Sequence, residues 1–339
     1  MNKILTITLI ALAFVSCNKQ QQSGEIFKPA VTGGNGEVLV VINDNIKNDT
    51  CGAYLASMLG DTIVGLNIPE PLFDMQTVPH GYFDLNMQKF RNIIDVVVHD
   101  TIKVGDVGFY ENRWAKPQAY IRITAKDKTE LLDLLQTEHM KIISFLLRME
   151  RVRMMTYNKS IRDIALSENV GKQWNIDICI PNLFSPCTPP DKEALSWFML
   201  DDEDSQMGMF VYDFPYIGEG AMSKVYILNK RDSLLRANIE GPQGSYMCTE
   251  IRFGLDEIIY KSGKHKKMDV AELRGLWRME GYPMGGPFIL RAHHDTINNR
   301  VVVTDGYVYY PRREKKRNKL RQLEAVMYSL NINNYETTK

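Results

Sequence analysis

The densest cluster of ligand-capable side chains is His293-His294-Asp295, and the chemistry it suggests is metal binding. Neighbouring side chains of a strand point to opposite faces, so His293 and His294 do not readily share one ion. A third ligand such as His265 would have to arrive from elsewhere, so a polar hairpin end is expected and no metal. Nucleophilic catalysis has no motif behind it, because Gly244-Ser245-Tyr246-Met247 lacks the second glycine of a nucleophile elbow. HExxH, P-loop and GxGxxG patterns are absent, so neither a cofactor nor a catalytic residue is assigned. The acidic tip Asp201-Asp202-Glu203-Asp204 lacks the alternating ligands, glycine and distal glutamate of a calcium loop, and reads as a solvated turn. What remains for an enzyme is a dispersed hydrolytic site around Trp277, Glu280, His293 and His294, which is the alternative to a binding protein.

The other reactive side chains are cysteines. Cys17 ends a segment in which Lys3 supplies a positive start, Ile4 to Val15 is apolar apart from two threonines, and Ser16 is small. As a helix those twelve residues reach only about 18 Å, short of the roughly 30 Å hydrocarbon core. Met1 to Ser16 is therefore expected to be a secretory signal peptide. Phe14-Val15-Ser16-Cys17 looks like a bacterial lipobox, with Phe14 where leucine is usual; Cys17 would then take the acyl chains, palmitate among them, and become the mature N-terminus. More than one chain on one cysteine holds firmly, at ~0.8 kcal/mol per buried CH₂. The implied compartment is oxidising. There, Cys179 and Cys187, nine residues from first to last with prolines between, can form a disulfide or remain two separate thiols; Cys51 and Cys248 read as small hydrophobes.

Composition sets limits on the partners. A formal charge of 0, falling to about −1 when residues 1–16 leave with Lys3, excludes the strongly basic balance of a nucleic-acid binder. Hydrophobic content of 44% in 339 residues supports a real core in one large or two ordinary domains. Nothing after residue 17 approaches 18 consecutive apolar residues, so lipid on Cys17 is the expected membrane attachment. No acidic cluster follows Cys17, which favours an outer-membrane protein facing the periplasm over a surface-exported one.

The elements that would position these residues begin with a polar, then Gly-rich tether. Glu37 to Ile42 is a β-branched run of a strand buried on both faces, and Thr50 to Leu59 a helix with Asp49 or Thr50 as N-cap and Gly60 past its end. Residues 61–84 carry Gly65, Pro69, Pro71, Pro79 and Gly81 among apolar side chains, and a loop this long is functional or packed on the core. Asn92–His99 and Gln118–Thr124 read as strands. Lys126 to about Thr156, without Gly or Pro, predicts one long amphipathic helix whose Met140, Met149, Met154 and Met155 fill core gaps. Ser160 to Asp163 resembles a capping box for a shorter helix ending at Gly171. Beyond it, hairpins around residues 195–214, a helix within 223–239, a Lys-rich loop at 261–267, strands around 249–253, 276–280, 288–292 and 300–310, and a helix from about Lys315 to Leu330 are expected. The fold class is α+β, with mixed sheets, a long amphipathic helix in the middle and a closing C-terminal helix. Its division is a signal peptide (1–16), a lipidated flexible tether (17–36), an N-terminal α/β half (37–172) and a C-terminal β-rich α+β half (173–339). Both halves run strand, helix, β-rich section, helix, which leaves open an ancient duplication beside generic α/β patterning.

Gly65 to Phe73, Leu273 to Glu280, Met284-Gly-Gly-Pro-Phe288 and Gly306-Tyr-Val-Tyr-Tyr-Pro311 combine aromatics with turn formers. With the basic helix that follows, they resemble an envelope lipoprotein family common in Bacteroidetes, a domain of unknown function. The resemblance implies an envelope lipoprotein and supplies no catalytic residues. Gly285-Gly286-Pro287 reads as a backbone corner or a close ligand approach. Arg312 to Arg321 holds seven cations and one anion where the last helix begins, an arrangement the helix dipole disfavours. Trp277, Gly285, Gly286 and Phe288 with Arg312, Arg313, Lys315 and Lys316 are accordingly the candidate binding surface. Its basic part suits anionic headgroups or an acidic partner, or is simply a solvated helix face. The function expected is a non-enzymatic binding or envelope-assembly factor held by lipid, with an envelope protein or polymer as partner.

Overall fold

A computed structural model describes residues 27–187, 194–311 and 316–333. Residues 1–16, expected to be a signal peptide, and Cys17, Arg312, Arg313 and Lys315 lie outside the described residues.

The N-terminal unit is built on β1 (Glu37–Val41), followed by α1 (Asp44–Lys47), α2 (Thr50–Gly60), β2 (Asp74–Val78), β3 (Asn92–Val98), β4 (Asp106–Glu111), β5 (Ala119–Ala125), α3 (Lys128–Thr137) and α4 (His139–Ser160). Its sheet has the order β2-β1-β3-β5-β4, parallel except for β4. The continuous β-branched runs are explained by burial on both faces. Val38, Val40, Ile94, Val96, Ile121 and Ile123 face α2, α3 and α4, while Leu39, Val41, Ile93 and Tyr120 lie under Phe83, Met87, Phe90 and Trp114 from the connecting loops. Helices therefore cover one face and loops the other. The tether expected to run to residue 36 is shorter: Thr32 N–H donates to Lys89 O at 2.8 Å and Arg91 N–H to Thr32 O at 2.9 Å, so the chain is fixed to the body before β1.

The single long helix expected from Lys126 is two. Asp127 caps α3 through the Glu130 N–H at 2.9 Å, and the chain turns at Glu138 into α4. No Gly or Pro marks this break, because tertiary packing makes it: α3 buries Leu131 and Leu135 on the sheet, and α4 must also reach the C-terminal unit. In α5 (Ile164–Trp174) the cap is Asp163, accepting from Leu166 N–H at 2.9 Å, and not Ser160, whose hydroxyl donates to Tyr157 O. The helix passes Gly171 and stops at Asn175, which takes the left-handed conformation with φ 50°. Leu166, Val170 and Trp174 join the C-terminal core, so the expected division after residue 172 falls inside α5.

The C-terminal unit continues with β6 (Ile176–Asp177), β7 (Ser185–Pro186), β8 (Ser196–Asp202), β9 (Ser205–Pro215), α6 (Lys224–Asn238), β10 (Tyr246–Thr249), β11 (Ile259–His265), β12 (Met268–Glu280), β13 (Tyr282–Asp295), β14 (Arg300–Tyr309), α7 (Lys316–Ser329) and β15 (Asn331–Ile332). Its large sheet runs β10-β12-β13-β14-β9-β8-β7, antiparallel throughout, and β11 pairs the first half of β12 where a Lys-rich loop was expected. The strand-helix order shared by the halves does not extend to pairing: one sheet is mostly parallel, the other antiparallel. Alternation along β14 separates two faces. Gly306 turns to α7, where a Cβ would stand 2.8 Å from Met327, and Asp305 turns to Arg231 of α6. α7 therefore lies between the C-terminal sheet and the N-terminal unit, and α6 on the side turned away.

Cys179 and Cys187 are free thiols, which corrects the disulfide expectation. Their backbones are held by different elements, Cys179 N–H by Ser329 Oγ at the end of α7 (2.9 Å) and Cys187 N–H by Trp197 O in β8 (2.8 Å). Among the described residues, no helix is long and apolar enough to cross a membrane.

Candidate functional site

The structure brings Trp277, Gly285, Gly286 and Phe288 together, but inside the molecule. Gly285 to Pro287 is no corner; it runs within β13 against Leu276, Trp277 and Arg278 of β12. A Cβ on Gly286 would stand 2.1 Å from Val308 O, and over this bare strand the Trp277 indole N–H reaches that same carbonyl at 3.2 Å. Trp277 and Phe288 are each 1% exposed. The glycines thus serve core packing of an aromatic, and this half of the expected binding surface is withdrawn.

Lys316 is withdrawn as well, being 2% exposed. Lys316, Arg317 and Arg321 of α7 face not water but the Pro- and Gly-rich loop of residues 61–73. Glu70 accepts from the Lys316 N–H (2.7 Å) and the Arg317 N–H (3.1 Å), giving the helix the anionic cap that its own sequence lacks. Lys316 Nζ reaches Asn67 Oδ1 at 3.1 Å, Arg317 pairs with Asp74 at 2.6 Å, and Arg321 donates to Leu72 O at 2.6 Å. The long loop and the basic helix, singled out separately in the sequence, are the two sides of one joint between the units.

The dispersed hydrolytic alternative is not assembled. Glu280 ends β12 beside the turn, whereas His293 and His294 lie near the other end of β13 and on opposite faces. His294 stacks on Tyr216 with centroids 3.7 Å apart, and His293 is fully buried on the α7 face. His265 sits 6.4 Å from His293 beside Arg291 and Tyr328, and the guanidiniums of Arg151 and Arg291 lie 3.6 and 3.5 Å from the Tyr328 ring. Burial, then the cations Arg291, Lys266 and Arg151, hold His265 down to about 4; burial, with Arg291 and His265, lowers His293 well below the ordinary range. Both rings stay neutral when folded but titrate near 6.5 when unfolded, so the unfolded chain binds more protons between those values. Their stability contribution is present above pH 6.5 and lost as pH falls towards 4. A His265→Gln, His293→Gln double variant should show a shallower fall in Tm between pH 6.5 and 4.5 by scanning calorimetry; parallel profiles would refute the assignment.

The open site that the fold creates lies elsewhere, in a cleft of about 680 Å³ between α6, β10 and the end of β12. Its rim is charged in both signs: Asp232 and Arg236 come from α6, and Arg278 and Glu280 pair with each other on β12. Tyr246 forms an aromatic wall with the Arg236 guanidinium 4.5 Å from its ring centroid. Asp232 accepts from both the N–H (2.8 Å) and the hydroxyl (2.7 Å) of Thr249, and behind Thr249 stands Arg231, fully buried and bonded to Asp305 at 2.8 Å. Cys248 is the most nucleophilic side chain lining the cleft, and burial pushes its thiol up, away from the reactive thiolate. The segment leaving β10 presents Ile251, Phe253 and Leu255 at 49%, 76% and 41% exposure beside the rim. Of its lining, sequence reasoning singled out only Glu280, and for another role, because these residues are spread over 232–280 and share no spacing.

This is the arrangement of a two-unit α+β protein with a charged cleft on its outer face, and each unit matches a domain of unknown function. Residues 31–159 match the family model DUF8532, and residues 163–329 match DUF4837. No curated protein matches the chain. Among solved structures the chain is similar to a point mutant of the protein Mog1, at 9% identity over 47% of this chain and 90% of that one, with a TM-score of 0.29.

Proposed function

We propose that this chain is a lipid-anchored, periplasm-facing outer-membrane lipoprotein, and that its body is a non-enzymatic binding factor holding an envelope partner at the cleft between α6 and β10. The observation that carries the binding reading is the cleft itself: balanced charges and a tyrosine wall, next to exposed Ile251, Phe253 and Leu255. Exposed apolar and aromatic side chains next to charged ones of both signs offer a protein partner apolar contact together with polar register. The protonated Cys248 favours binding over bond-making. The anchor rests on Ser16-Cys17 and on the short apolar run before them.

Two measurements test it. Cys17→Ala should shift the chain to the soluble fraction or leave it unprocessed; a variant still processed and membrane-bound would remove the anchor. A photo-crosslinking amino acid at Ile251 in intact cells should give one dominant adduct, reduced about tenfold by Arg236→Glu with Arg278→Glu, equivalent to ~1.4 kcal/mol. The same adduct from position Val104, exposed on the other unit, or no effect of the charge reversals, would sink the binding site.

A further inference from the structure

We infer that the loop-covered face of the N-terminal unit, around Tyr82 and Leu85, lies against the phospholipid headgroups. This rests on the lipid-anchor reading of Cys17 and adds the orientation of the body. Cys17 stands ten residues before Phe27, a span of at most about 35 Å even fully extended. A body of some 300 residues has a radius of gyration near 19 Å and is roughly 50 Å across, so the bilayer lies on the side of Phe27 and not on the side opposite it.

The structure fixes which side that is. Lys116 N–H donates to Pro29 O at 2.9 Å, Lys28 reaches the Asn112 carbonyl, and Thr32 pairs across Phe90. The chain thus arrives on the face closed by residues 79–91 and 112–118, with Phe27 itself 91% exposed. Tyr82 and Leu85 project from that face at 74% and 75% exposure, large apolar groups that the core does not claim. The segments that form this face also carry Lys28, Lys89, Arg113 and Lys116, and Arg113 lies 4.6 Å from the ring centroid of Tyr120. Of the acidic groups nearby, Glu111 is paired with a cation and Asp84 caps a turn. Asp84 accepts from the Asn86 and Met87 N–H groups at 2.9 Å, and Glu111 pairs with Arg148 at 2.7 Å. Cations with an aromatic and an aliphatic side chain among them match a surface of phosphates over hydrocarbon. The cleft beside α6, on the far side of the C-terminal sheet, then points away from the bilayer.

The test uses full-length acylated protein in vesicles of phosphatidylethanolamine and phosphatidylglycerol carrying brominated acyl chains. An environment-sensitive fluorescent amino acid is placed at Tyr82, at Leu85 or, as reference, at Phe253. Quenching several-fold stronger at 82 and 85 than at 253, and weakened by Lys28→Gln with Lys116→Gln, is the expected result. Protein retained on the vesicles but quenched equally at all three positions, as when a protein partner covers this face, overturns the orientation and leaves the anchor standing. Protein not retained at all overturns the anchor, and the orientation with it.

Discussion

Glu70→Ala is expected to destabilise the folded chain by about 2–4 kcal/mol, the cost of leaving two buried N–H donors at a helix start without their charged acceptor. Glu70 is 6% exposed, and its carboxylate takes both N–H groups at the start of α7. Its removal orphans those donors at the end of the helix dipole where positive potential is greatest. It also leaves Lys316, 2% exposed, with only the amide of Asn67 near its ammonium. At about 1.6 °C per kcal/mol for a folded body of some 300 residues, Tm should drop by roughly 5 °C. Glu70→Gln keeps an acceptor and loses the charge, so it should fall between. Circular dichroism melts decide it, and a Glu70→Ala Tm within ~1 °C of the parent would show that the joint between the units is not held there.

The second large effect is at the opposite face of the C-terminal sheet. Arg231 and Asp305 are both fully buried and bonded at 2.8 Å, with Arg231 also 4.2 Å from the Phe288 ring centroid. Burial raises the Asp305 carboxyl to about 6, and Asp305 in turn raises the Arg231 guanidinium, so the pair carries a large desolvation cost that each charge offsets for the other. Arg231 Nη2, Asp305 Oδ1 and the Tyr212 hydroxyl lack hydrogen-bond partners among the described residues, so the cluster is only partly satisfied. Arg231→Met alone should therefore cost about 3–5 kcal/mol, and Asp305→Leu alone a similar amount. The double variant, with neither charge left to desolvate, should come within about 1–2 kcal/mol of the parent. Urea unfolding of the four proteins closes the cycle; a double variant as destabilised as either single one would show that the pair contributes net stability, and additive losses would show that the two charges are not coupled.

Local patterns in the chain already determined a good deal. The β-branched runs at 37–42 and 92–99 are strands buried on both faces, Asp49 caps α2, and the apolar spacing of residues 320–330 places α7 on the core. The class, α+β with a closing helix, follows from those periodicities because each depends on neighbours within about ten residues. What needed tertiary structure was every feature with a distant partner. The break at Glu138 has no sequence signal, since only the separate docking of α3 and α4 imposes it. The strand at Ile259–His265 looks like a polar loop because β12, not its own side chains, stabilises it. The glycines at 285 and 286 and the cations of α7 looked functional because their local cost was visible and their compensation was not. Trp277 needs a strand without side chains to cross, and Lys316 and Arg317 need a carboxylate supplied by Glu70, about 250 residues earlier in the chain. Local preference shows that such a cost exists; only the fold shows which remote group offsets it, because Coulomb attraction and close packing act through space and not along the chain.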